Sequence, residues 1–123
     1  MRSEVRSDDP LIFDATVVTN LTGHADDLEF AQVFVTRFRR MLPERTSRIN
    51  QALADHELVD AMDAVLSLKG ASGTVGAGEL FVLAALMEGH LKRRDFDAAT
   101  TVASDLPAAS ERADKAFAAF LNG

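Results

Sequence analysis

Apolar residues recur at spacings of three and four along most of the chain, which is the pattern of amphipathic α-helices. The pattern predicts helical segments over about 28–42, 44–55, 57–74, 78–94 and 96–121. Pro43 and Pro107 interrupt it, because proline lacks the N–H that continues a helix. We therefore expect the two segments around Pro43 to be antiparallel neighbours or a kinked pair, and a kink or restart near Pro107.

The residues before these helical segments show a weaker apolar pattern. Residues 1–10 are polar and charged without helical period, and we expect a flexible tail there. Asp14 is a candidate N-cap for a short helix over about 15–21, although its β-branched residues make a strand the competing interpretation. Asp26 or Asp27 is expected to cap the helix that follows.

Short connections between the helical segments favour one compact arrangement. We predict an all-α fold, an antiparallel up-down four-helix bundle with a short N-terminal helix, formed by a single domain over residues 11–123. The composition agrees, since the chain is rich in alanine and leucine and has only three prolines.

Charge and cysteine content narrow the classes of partner. The chain of 123 residues has a formal net charge of −6, which disfavours nucleic acid or an anionic membrane as the main partner. It contains no cysteine, which excludes disulfides, zinc–thiolate sites and cysteine nucleophiles. The charged start lacks the apolar core of a secretion signal, and no apolar run approaches the ~20 residues that span a bilayer. We therefore expect a cytoplasmic protein.

The segment over 57–74 carries an apolar flank beside its core face. At 100° per residue, the core stripe comprises Leu58, Ala61, Val65, Leu68 and Ser72. The candidate partner-binding residues lie on or beside the flank, and they are Val59, Met62, Leu66, Lys69, Gly70 and Gly73. Glycine inside a helix costs about 1 kcal/mol relative to alanine, and an uncovered apolar flank is unfavourable on a monomer. Packing alone does not explain this stretch.

The same stretch carries a family resemblance. Leu68-Lys69-Gly70-Ala71-Ser72 resembles the central motif of the histidine-containing phosphotransfer (HPt) domains of bacterial phosphorelays. Further matching stretches are Phe34 to Phe38, Leu42-Pro43, Ala52-Leu53, Gly76-Ala77 with Leu80, Leu86-Met87-Glu88, and Arg94-Asp95 in place of the family's Gly-Asp. The resemblance covers about 28–106. It implies a helical bundle in two-component signalling that binds a receiver domain or a histidine kinase, is not an enzyme, and needs no cofactor.

The chain departs from the family at its reactive position. In the family, a histidine three residues before the lysine accepts a phosphoryl group, the lysine holds its charge, and the glycine leaves room for the partner. By resemblance these roles fall on Leu66, Lys69 and Gly70. Leucine has no lone pair with which to attack an aspartyl phosphate. The sequence therefore predicts a degenerate member, a pseudo-HPt docking or regulatory module that carries no phosphate.

Three alternatives remain open. Another histidine (His24, His56 or His90) could accept the phosphoryl group, although none has a Lys-Gly pair at helical spacing. The bundle could instead form a homodimer through the Leu66 flank, with no relay role. The N-terminal segment could also fold over Leu66 and bury it. The three histidines are too scattered along the chain to predict a metal site.

A group of basic residues adds a possible steering role. It consists of Arg37, Arg39, Arg40, Arg45 and Arg48. Such a cluster on an acidic chain can steer it toward an acidic partner, such as the carboxylate-rich face of a receiver domain. The competing interpretation is ordinary helix-end charge and i,i+4 pairing.

Overall fold

The computed structural model describes residues 9–21 and 28–123. The helices in these residues are α1 (Ala15–Thr19), α2 (Leu28–Ala54), α3 (Leu58–Val75), α4 (Gly78–Lys92), α5 (Phe96–Ala103) and α6 (Leu106–Asn122). Tight turns make α2, α3 and α4 antiparallel neighbours, α5 and α6 complete the four-helix bundle, and α1 packs against α2 and α3. The predicted all-α bundle with a short N-terminal helix is confirmed.

Some predictions fall on residues outside this description. These are the Asp26 or Asp27 cap, His24, and all but the last two residues of the expected tail. Within residues 9–21 and 28–123, no helix is both long and apolar enough to cross a membrane.

The prediction that Pro43 separates two helices is wrong. The helix α2 runs unbroken over 27 residues with Pro43 inside it. Its buried residues keep one phase on both sides of the proline, at Ala31, Val35, Phe38, Leu42, Ile49, Ala52 and Leu53. The proline itself is exposed. Burial of this long apolar stripe therefore outweighs the roughly 3 kcal/mol that a proline costs inside a helix.

The short N-terminal helix is confirmed as α1. The Asp14 side chain caps it by accepting a hydrogen bond from the Thr16 N–H at 3.1 Å. Just before the cap, the Phe13 ring packs edge-on against Phe117 at 5.0 Å and against Phe120 at 5.5 Å between ring centroids. These contacts attach the chain before α1 to α6.

Glycines bring the same N-terminal stretch onto the turn between α3 and α4. Gly76 ends α3 in the left-handed region with φ 88°, and its carbonyl accepts a hydrogen bond from the Asp14 N–H at 2.8 Å. A Cβ on Gly76 would lie 2.5 Å from the Asp14 carbonyl oxygen. On Gly78 it would lie 2.7 Å from the Leu11 carbonyl oxygen. Both positions therefore require glycine for backbone-to-backbone packing.

The C-terminal part follows the prediction of a restart near Pro107. Residues 104–105 separate α5 from α6, and Pro107 lies in the first turn of α6, where its missing N–H removes no helical hydrogen bond. Asp95 caps α5 by accepting from the Ala98 N–H at 3.0 Å. The preceding helix α4 ends two residues before the predicted end, because Arg94 adopts a left-handed φ of 56°. Arg94 thus holds a conformation that glycine adopts more easily.

Candidate functional site

The structure places the six predicted partner-binding residues on one side of α3. Val59 is 73% exposed and Leu66 42% exposed, Met62 and Lys69 are half-buried, and both glycines are exposed. We call this set, formed by Val59, Met62, Leu66, Lys69, Gly70 and Gly73, the α3 face. The adjacent core stripe of the helix is buried as predicted, except that Leu58 is only half-buried. The helix therefore separates a packed side from an uncovered apolar side.

The two glycines of the α3 face have different surroundings. A Cβ on Gly70 would meet no heavy atom within 4 Å, so packing within the chain does not require glycine there. A Cβ on Gly73 would lie 3.3 Å from two ring carbons of Phe81, so Gly73 leaves room for that ring. The α3 face thus has an open centre at Gly70 and one end closed by α4.

Lys69 marks the edge of the face and is held by an ion pair. Its Nζ lies 2.7 Å from Glu88 Oε1, and the other carboxylate oxygen lies 3.3 Å from Lys92 Nζ. The hydrogen bond from Lys69, followed by that from Lys92, lowers the pKa of Glu88. Lys69 Nζ also lies 5.9 Å from the centre of the Phe81 ring. Two ammonium groups therefore share one carboxylate at the edge of the face.

Sequence reasoning missed part of the exposed apolar surface, which continues onto α4. The helical period of this segment predicts a core face of Leu80, Leu83, Ala84, Met87 and Leu91, and these residues are buried except for the half-buried Leu83. It did not predict that Phe81, Val82 and Leu86 are exposed, or that Glu88 pairs with Lys69. The sequence does contain one indication of this surface. The segment that forms α4 is apolar on nearly all sides, which is typical of a helix that other elements cover on both sides.

The two histidines that the structure describes, His56 and His90, lie apart and have different neighbours. His90 Nδ1 lies 2.8 Å from Arg93 Nη2, and a guanidinium only donates, so this nitrogen's lone pair is occupied. His56 lies in the α2–α3 turn with φ 53°, and its ring packs 4.8 Å from that of Phe96. Within the described ranges, no three histidine or acidic side chains cluster as a metal site.

The five arginines of α2 divide into two groups. Arg39 pairs with Asp114 on α6, which raises the pKa of Arg39 and lowers that of Asp114, chiefly through their hydrogen bond. Arg45 donates to the Ser67 hydroxyl and carbonyl on α3. The remaining three, Arg37, Arg40 and Arg48, are exposed. Two of the five therefore connect helices of the bundle, and three face solvent.

A comparison with models of protein families matches most of the chain to one family. The family model described as the Hpt domain matches residues 33–116, which include the whole α3 face. Searches of curated proteins and of solved structures found no match. Hpt domains are phosphotransfer modules of two-component phosphorelays and interact with receiver domains and histidine kinases. With a family match over more than half of its length and an all-α bundle as its fold, the chain belongs to the Hpt domain family.

Proposed function

We propose that this protein is a pseudo-HPt docking module, which binds a receiver domain or a histidine kinase through the α3 face and accepts no phosphoryl group. The observation that carries the proposal is Leu66. By the resemblance of its motif it falls at the family's phosphoacceptor position, and it is 42% exposed and offers no nucleophilic atom. A leucine retained only for packing inside the chain would be buried, and this one is not.

The surroundings of Leu66 support a docking role. Gly70 leaves open space one turn along the helix, and the exposed side chains of Val59 and of α4 extend the apolar area. Covering a leucine side chain contributes about 1.5–3 kcal/mol for full burial, and 42% of Leu66 is still exposed. The described N-terminal residues do not supply that cover, since Leu11 and Asp14 pack on the α3–α4 turn.

Charge near the face fits an acidic partner. Lys69 and Lys92 outnumber Glu88, the carboxylate between them, in a chain whose net charge is −6. The phosphoacceptor site of a receiver domain is rich in carboxylates, so the two ammonium groups at the edge of the face favour its correct orientation. Arg37, Arg40 and Arg48 on α2 add exposed positive charge to the same bundle.

A titration against receiver domains tests the proposal. We expect one receiver domain of the source organism to bind the full chain, and Leu66→Asp to weaken binding by about tenfold or more, because a carboxylate would be buried against an apolar and acidic surface. The matched control is Ala119→Asp, which adds the same charge to the exposed side of α6, whose main packing partners are α2 and α4. Absence of any binding, or equal weakening by both variants, would contradict docking through the α3 face.

A phosphotransfer assay tests the second half of the proposal. The full chain is incubated with a receiver domain carrying a labelled aspartyl phosphate. We expect no acid-labile label on this chain and, for Leu66→His, a labelled imidazole formed as the phosphorus–oxygen bond to the aspartate breaks. Label on the unmodified chain that disappears on substitution of His24, His56 or His90 would overturn the proposal. A stable dimer centred on Leu66 that excludes receiver domains would overturn it as well.

A further inference from the structure

A second exposed apolar surface lies where the N-terminal stretch meets the α3–α4 turn. It is a groove with a volume of about 700 Å³. Leu11 and Val17 form one side of it, and Gly73, Phe81 and Val82 form the other. Leu11 is 76% exposed and Val82 is 54% exposed, so both rims present large apolar side chains to solvent. Contiguous apolar patches of this kind mark interaction sites on many soluble proteins.

The stretch that carries Leu11 is held in place by its own hydrogen bonds. Asp9 Oδ1 accepts the Leu11 N–H at 2.8 Å, and the Asp9 carbonyl accepts the Ile12 N–H at 2.9 Å. The Leu11 carbonyl oxygen lies where a side chain on Gly78 would stand. The backbone of this rim is therefore ordered before a partner binds, which lowers the entropic cost of association.

The charged residues that line the groove are all acidic, and they are Asp9, Asp14 and Glu79. Arg112 of α6 neutralises Glu79, since it donates to both carboxylate oxygens at 3.0 and 2.8 Å. The two aspartates accept their hydrogen bonds through Oδ1, and within residues 9–21 and 28–123 neither forms an ion pair. The apolar groove therefore carries two carboxylates that no cation of the described chain neutralises.

We propose that this groove binds a basic, apolar segment of a partner protein. Apolar side chains of the segment would cover Leu11 and Val82, while lysine or arginine would pair with Asp9 and Asp14. The same aspartates repel an acidic segment. The occupant is a chain segment rather than a compact solute, because the two exposed side chains stand on opposite rims and a segment lying across the groove covers both.

The groove is distinct from the α3 face. Of that face only Gly73 lines the groove, whereas Leu66, Lys69 and Gly70 do not. Leu66 lies nearly two helical turns from Gly73 along α3. A substitution in the groove can therefore abolish binding of the basic segment and leave receiver binding intact, so the two inferences can fail independently.

Two synthetic peptides test the charge requirement on the full chain. Both are amphipathic leucine peptides of the same length, one with lysine and the other with glutamate at every polar position. We expect one lysine peptide to bind per chain, and the glutamate peptide to bind about tenfold or more weakly. Equal affinity for the two peptides, or no binding of the lysine peptide, would overturn the proposal.

Matched pairs of aspartate substitutions separate the groove from general attraction to an acidic chain. Asp9→Asn with Asp14→Asn should weaken the lysine peptide about fivefold, because asparagine keeps the acceptor oxygen and removes only the charge. Asp97→Asn with Asp105→Asn makes the same change in net charge at exposed positions outside the groove, and should leave the affinity within about twofold. Equal weakening by the two pairs would contradict binding in the groove.

Matched leucine substitutions locate the peptide. Leu11→Ala should weaken the lysine peptide about tenfold, because it removes the apolar rim. Leu66→Ala removes the same side chain from the α3 face and should leave peptide binding unaltered. Equal weakening by these two variants would place the peptide elsewhere and overturn the proposal.

Two other occupants of the groove are distinguished by further measurements. Arg2 and Arg6 precede Asp9 in the sequence, so the start of the chain is itself a basic segment. If it fills the groove, Arg2→Ser with Arg6→Ser in the full chain should tighten the lysine peptide about fivefold. That result, or a dimer in sedimentation that Leu11→Ala dissociates, would overturn binding of a separate partner; unchanged peptide affinity and a monomer are expected.

Discussion

At the scale of single residues, two glycines of the central region, Gly70 and Gly76, have different structural roles. The sequence marks Gly70 as costly inside a helix, and its open surroundings agree with a position kept free for a partner. Gly76 is required by a left-handed backbone and by the nearby Asp14 carbonyl. The motif predicted the position of Gly70 on the uncovered flank of the helix. The contact of Gly76 with Asp14, 62 positions earlier, could not be predicted because it leaves no local pattern in the sequence.

Alanine substitutions at these glycines should therefore have opposite effects on stability. We expect Gly70→Ala to raise the free energy of unfolding by about 1 kcal/mol, because alanine favours the helix and meets no neighbour. We expect Gly76→Ala to lower it by at least about 1–2 kcal/mol, because φ is left-handed and the Cβ would collide. Urea denaturation of both variants measures the two changes.

The stabilised variant also separates stability from docking. Gly70→Ala fills the open space beside Leu66, so its affinity for the receiver domain should fall although its fold is more stable. A Gly70→Ala protein that is less stable than the parent, or a Gly76→Ala protein of unchanged stability, would contradict these assignments.

At the scale of elements, periodicity predicted the helices well and proline misled the prediction once. The apolar phase of α2 continues across Pro43, since Leu42 and Ile49 are two turns apart and both are buried. The continuous period of the buried apolar residues thus predicted the length of α2 better than the tendency of proline to end a helix. The exposed side of α4 was not predicted, because the sequence of an apolar helix does not say which of its sides another helix will cover.

The unbroken α2 leads to a prediction about Pro43. Pro43→Ala should raise the free energy of unfolding by about 1–3 kcal/mol, because it restores an N–H donor in the middle of a helix and removes the ring's clash with the preceding turn. The control is Glu44→Ala at the neighbouring exposed position, where we expect a change within about 0.5 kcal/mol. Chemical denaturation followed by far-UV circular dichroism compares the two. A Pro43→Ala protein that is less stable than the parent would show that α2 is shaped around its proline.

At the scale of the whole molecule, the stretch before α1 is part of the core. Phe13 packs edge-on against Phe117 and Phe120 of α6, and Phe117 also packs against Phe38 of α2 at 5.5 Å. The class of fold followed from helix number and short turns. The position of this stretch did not follow, because it depends on contacts between residues about a hundred positions apart in the sequence.

Truncating Phe13 tests how far the bundle depends on this stretch. We expect Phe13→Ala to lower the free energy of unfolding by about 3–5 kcal/mol, since the ring is buried and packs edge-on against Phe117 and Phe120. Leu11→Ala is the control, because Leu11 is 76% exposed and its loss should cost within about 0.5 kcal/mol. Thermal or urea unfolding of both proteins measures the difference. Similar stability of the two variants would indicate that the stretch lies on the bundle without supporting it.

The aromatic contact of Phe13 also sets an order of events during synthesis. Its partners on α6, Phe117 and Phe120, are translated about a hundred residues later, after α2, α3, α4 and α5. A contact of such long sequence separation forms late and slowly. The nascent chain therefore exposes Phe13 while the helices between Phe13 and α6 are synthesised. Although Phe13 is synthesised before these helices, its contact with α6 is among the last to form.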